Sequence, residues 1–70
     1  MPFKPMKLKD YLRWIHKYGW SIEKGSIDHK LYNQYGQYVT QIKIKHPPGN
    51  EVHPDSVKKT QQELKRAGLE

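Results

Sequence analysis

The chain has four histidines, at positions 16, 29, 46 and 53, and no cysteine. An imidazole, with an unperturbed pKa of about 6.5, exchanges its proton near neutral pH, so histidine suits general acid–base work. His29 is the candidate for that task. It follows a Gly25-Ser26 break and stands where a strand should begin, a rigid place for a group that must hold its geometry. Its plainer reading is a surface or capping histidine. The cations that would accompany proton transfer are Lys24, Lys30, Lys43 and Lys45. Positive charge beside a reacting phosphate offsets charge developing on its oxygens. The same four lysines also fit a solvated charged face.

A polymer that carries its own nucleophile needs little more than this. RNA has the 2′-hydroxyl, and its cleavage requires only that protons move and that the pentavalent phosphate be stabilised. General acid–base catalysis contributes about 10²- to 10⁴-fold to such a step. Asp28 is either a turn residue or a carboxylate that keeps the His29 imidazole charged. Tyr35 either stacks on a base or packs over its own turn. The histidine spacings match no common metal-ligand motif, and no other cofactor is implied. The sequence has no Gly-rich phosphate loop, no Cys–His pair and no Ser-His-Asp arrangement worth arguing.

These side chains need elements to hold them. Residues 1–6 carry two prolines and should form a flexible N-terminal arm. Leu8, Tyr11, Leu12 and Ile15 fall at offsets 0, 3, 4 and 7, one apolar stripe on a helix from Lys7 to about Tyr18 that Gly19 would cap. Trp20 and Ile22 alternate inward on a short strand. A second strand should run from His29 to Asn33, and Asn33-Gln34-Tyr35-Gly36 is a hairpin turn. A third strand should span Gln37 to Lys45, with Tyr38, Thr40, Ile42 and Ile44 buried and Val39, Gln41, Lys43 and Lys45 solvated. His46 to Asn50 is a loop. Pro54 and Asp55 suit the start of a helix with the thin stripe Val57, Thr60, Leu64 and Ala67, ended by Gly68. Arg13, Lys17, Lys58 and Lys59 belong to the electrostatic background. Trp14 and Trp20 are expected in or near the core.

The resulting order is α-β-β-β-α. It predicts an α+β fold, a two-layer sandwich in which both helices cover one face of a three-stranded antiparallel sheet. Lys43 and Lys45 should project from the open face, and His29 should meet solvent beside them. Alternation does not fix the direction of His29. It shares a face with Leu31, as Lys30 does with Tyr32, and both Leu31 and Tyr32 favour burial. A bulge near Asp28 would turn the imidazole outward.

Seventy residues and 8.4 kDa suffice for a single domain, residues 1–70, but not for a deep cavity enclosed by this chain alone. Only 34% of the residues are apolar, so the core must be small. Thirteen Lys and Arg against seven Asp and Glu give a formal charge of +6 and a pI near 9.7. That balance points to an anionic partner: nucleic acid, an acidic protein or a membrane surface. No apolar run is long enough to span a bilayer, and the opening Met-Pro-Phe-Lys-Pro-Met lacks the stretch of a signal peptide. The expected location is the cytoplasm.

Taken in order, these segments resemble the HicA family of bacterial and archaeal toxins. The basic first helix ends in Tyr18-Gly19-Trp20. Lys24-Gly25-Ser26 precedes His29, with Tyr32 after it, similar to the family's Gly-Ser-His signature and trailing aromatic. Ile27 and Asp28 widen the spacing between Ser26 and His29. A strand leads into His46-Pro47, then Glu51-Val52 and Pro54, and Leu64-Lys65-Arg66-Ala67-Gly68-Leu69 closes the chain. The resemblance implies a double-stranded-RNA-binding-domain-like fold and ribonuclease activity on messenger RNA. It also implies a HicB-like antitoxin partner and favours His29 as the catalytic group. The alternatives are a non-catalytic RNA-binding module and a ribosome- or nucleoid-associated accessory protein.

Overall fold

The structure is a computed structural model that describes residues 4–25, 28–45 and 50–70. In chain order the elements are β1 (Met6–Lys7), α1 (Leu8–His16), β2 (Ser21–Glu23), β3 (His29–Tyr32), β4 (Tyr38–Ile42), β5 (Ile44–Lys45), β6 (Glu51–Val52) and α2 (Pro54–Arg66). The fold is α+β, with two helices and two three-stranded antiparallel sheets, ordered β2-β3-β4 and β1-β6-β5.

Both helices end in the same way. Trp20 N–H donates to the Ile15 carbonyl and Gly19 N–H to that of His16; Leu69 N–H donates to Leu64 and Gly68 N–H to Lys65. This paired pattern satisfies carbonyls left over at a helix end and places one residue in the left-handed region. That residue is Gly19 at φ +79° in one case and Gly68 at φ +77° in the other. At its start, α2 has Pro54 in the first turn and His53 Nδ1 accepting from Asp55 N–H at 3.2 Å. The Asp55 carboxylate lies 3.7 Å from the same nitrogen.

The β3–β4 hairpin turns on Asn33. Its Oδ1 accepts from Tyr35 N–H and Gln37 N–H at 2.9 and 3.0 Å, as expected of an Asn-led turn. Ladder register then shifts between Leu31, opposite Thr40, and Tyr32, opposite Tyr38. This irregularity puts Tyr38 on the side of Tyr32, so the expected burial of Tyr38 is wrong and it is 55% exposed. Val39, expected in solvent, instead packs against the core.

The single sheet predicted from a continuous strand 37–45 is also corrected. The strand stops at Lys43, whose N–H donates to Ser56 Oγ and whose carbonyl accepts from His53 N–H, both at 2.9 Å. With both backbone groups taken by the start of α2, the chain leaves one sheet and enters the other. Ile44 and Lys45 pair with Val52 and Glu51. The expected arm is shorter than residues 1–6, because Met6 and Lys7 pair with Val52 and Glu51 from the opposite side. Most of the expected loop 46–50 lies outside the described residues.

The core is Tyr11, Ile15, Trp20, Leu31, Ile42, Val52, Val57 and Leu64. Within it, Tyr11 OH and Thr60 Oγ1 lie 2.8 Å apart, and Thr60 gives its single proton to the Ser56 carbonyl at 2.8 Å. Tyr11 is therefore the donor of the pair. Trp14 stacks edge-on against Tyr11, and its Nε1–H donates to the Glu70 carboxylate, as does Tyr18 OH. That bond to Glu70 is the main reason the Tyr18 hydroxyl is held above its ordinary pKa. α1 packs against β2 and α2 against β4, covering the sheet face that holds Ile22, Leu31 and Ile42.

Candidate nucleic-acid interface

His29 opens β3, the central strand of its sheet, and lies opposite Ile42. It is 4% exposed and shares the covered face with Leu31. The expectation that its imidazole meets solvent is therefore corrected. Leu31 takes the buried face, strand alternation carries His29 with it, and the register irregularity falls across from Leu31 and Tyr32, not near Asp28. The ring has a defined orientation, with Nδ1 accepting from Gly25 N–H at 3.2 Å.

A second contact explains why this residue is glycine. A Cβ there would overlap the carbonyl oxygen of Asp28. Gly25→Ala is expected to push Asp28 away, lengthen the bond to His29 and cost about 1–3 kcal/mol, the usual range for overpacking. A melting temperature equal to that of the wild type would remove Gly25 as the residue that closes this segment.

The four candidate lysines are all exposed, but they do not form one track. Lys24 follows β2. Lys30 lies on the uncovered sheet face between Glu23 and Gln41, opposite in direction to His29. Lys43 and Lys45 do not share a sheet surface: Lys43 sits at the crossing between sheets, and Lys45 pairs with Glu51, itself opposite Lys7. The crossing brings Lys43 to a cavity of about 410 Å³ that Gln41, His53 and Lys59 also line. Lys59 has no distinguishing sequence signal, because its place in the same cavity depends on the break at Lys43.

Tyr32 and Tyr38 meet edge to face on the uncovered side, with ring centroids 6.3 Å apart. Tyr35 is 78% exposed at the hairpin tip. Trp20 is in the core, as expected, with Nε1–H donating to Gln34 Oε1 at 2.7 Å. Among the described residues, no group of three or more His, Cys, Asp or Glu side chains could hold a metal ion, and no helix is long and apolar enough to cross a membrane. Comparison with family models, curated proteins and solved structures finds no match to this chain.

Proposed function

We propose that the chain is a HicA-like toxin, a metal-independent endoribonuclease that cleaves messenger RNA with His29 as its single general acid/base. The observation that carries the proposal is the His29–Gly25 contact. It orients an imidazole on a central strand, in the sequence context that resembles the family's catalytic segment. The formal charge of +6 supplies attraction to a polyanion. In this reading the α+β arrangement is a variant of the double-stranded-RNA-binding-domain-like sandwich. The protein works in the cytoplasm, and a HicB-like antitoxin silences it by covering the cationic surface.

The burial of His29 favours a second reading, an RNA-binding module without chemistry. His29→Asn separates the two. The asparagine Oδ1 can replace Nδ1 as acceptor for Gly25 N–H but cannot titrate near neutral pH. For a nuclease, cleavage should fall by about 10²- to 10⁴-fold while melting temperature and RNA affinity stay near those of the wild type. Cleavage at the wild-type rate would rule out His29 as the proton-transfer group. RNA binding without cleavage by the wild-type chain itself would establish the second reading.

A further inference from the structure

We propose that the uncovered face of the β2-β3-β4 sheet is a platform for single-stranded RNA, with bases stacked at Tyr38 and Tyr32 and a backbone phosphate held between Lys43 and Lys59. The proposal rests on RNA being the ligand and adds which form of RNA is bound.

The cross-strand register places Ser21, Glu23, Lys30, Tyr32, Tyr38 and Gln41 on this side of the sheet. The helices pack on the other side. Tyr38 and Tyr35 are the large apolar side chains most open to solvent among the described residues, and both belong to the β3–β4 hairpin. A tyrosine ring left 55% exposed on a strand, braced edge-on by a second tyrosine, offers a flat π-surface at a fixed height. Every base can stack on such a surface, whatever its sequence. Only unpaired bases can reach it, because in an A-form duplex the bases are already stacked on one another.

The phosphate site lies along the same strand. From Tyr38 to Ile42 β4 advances about 13 Å, at roughly 3.3 Å per residue, and Lys43 follows directly. Gln41 belongs both to the uncovered face and to the lining of the cavity at Lys43 and Lys59. The two lysines outweigh the one carboxylate there, Asp55. Glu23 and Lys30 lie opposite each other on the sheet, so the face itself is near neutral. Such a surface favours bases over it and phosphates at its charged end. Charge complementarity with the chain as a whole supports a polyanion as the occupant rather than a second copy of this basic protein.

The test uses the whole chain with two probes: a 2′-O-methyl single strand of twelve nucleotides, which lacks the nucleophile and cannot be cut, and the duplex of the same sequence. The wild type should bind the single strand more tightly. Tyr38→Thr keeps a strand-favouring residue but removes the ring. It should weaken single-strand binding by about 5-fold or more, the lower end of what one stacked base contributes, with little effect on the duplex. Tyr38→Phe should bind as the wild type does. Lys43→Ala with Lys59→Ala should reduce the slope of log K against log salt by about 0.7 for each lost phosphate contact. Tighter binding of the duplex, or a Tyr38→Thr variant that binds both probes normally, would overturn the platform and leave RNA as the ligand. A concentration-dependent dimer that Tyr38→Thr abolishes, without change in RNA affinity, would assign the face to a second copy and overturn it. Failure of the wild type to bind either probe would remove RNA as the ligand, and the platform with it.

Discussion

Leu64→Ala should remove about 3 kcal/mol of stability, a large share of what the whole domain has. Leu64 is fully buried near the end of α2, in the stripe with Val57 and Thr60 that closes the core. Its carbonyl also accepts the Leu69 N–H that ends the helix, so the side chain anchors the turn where α2 stops. Truncating a buried leucine to alanine costs about 2.7–5 kcal/mol, more where the surroundings cannot collapse into the space. A chain of this length has a total stability of only about 3.5–10 kcal/mol, at roughly 0.05–0.15 kcal/mol per residue. A single side chain is thus set against much of the whole. Urea unfolding should show the midpoint falling by an amount equivalent to about 3 kcal/mol, while Lys65→Ala on the exposed side stays within about 0.5 kcal/mol. If Leu64→Ala lost less than about 1 kcal/mol, α2 would not be the lid of this core.

Alkaline pH should destabilise the domain through Tyr11. Burial raises its hydroxyl from 10.0 to about 12, and the contact with Thr60 opposes this only in part. Thr60 could support the phenolate only by withdrawing its proton from the Ser56 carbonyl. Ionisation would therefore disturb two hydrogen bonds inside the core. Between pH 10 and 12 the unfolded chain has lost this proton while the folded chain still holds it, so the unfolded state gains and stability falls. The contribution is intact below pH 10 and is lost by about pH 12, with a total of about 3 kcal/mol for a shift of two units. Other groups titrate in the same range, so the informative quantity is the difference from Tyr11→Phe. That variant lacks the ionising group and should cost about 1 kcal/mol at neutral pH for the lost hydrogen bond. Its stability should fall less steeply above pH 10. Parallel curves for the two proteins would show that the phenol ionises as readily in the fold as outside it.

The sequence is most transparent where local chemistry decides the backbone. Gly19 and Gly68 end helices because a left-handed residue is needed there, and Asn33 leads a turn because its side chain can bond two amides at once. The stripe Leu8-Tyr11-Leu12-Ile15 faces inward as its spacing requires, and so do Val57, Thr60 and Leu64 of the second, whereas Ala67, expected with them, is exposed at the cap that ends α2. It is opaque where distant partners decide. Nothing in Ile42-Lys43-Ile44 breaks the alternation, yet the strand ends there because His53 and Ser56 capture the backbone of Lys43. β1, β5 and β6 have two residues each, too few for any period to register. The register irregularity beside Val39 has no compositional mark, and it decides where Tyr38 points. His29 shows the same division. Its place at the start of a strand is legible, whereas its inward direction follows from Leu31 winning the covered face over Tyr32.

The crossing at Lys43 has a consequence for cooperativity. One peptide unit on each side of this residue is the hinge on which two ribbons turn, and neither ribbon holds it. If the first turn of α2 frays, the ends of β4 and β5 lose their shared anchor together. Native-state hydrogen exchange at Lys43 and His53 should then report one common opening event.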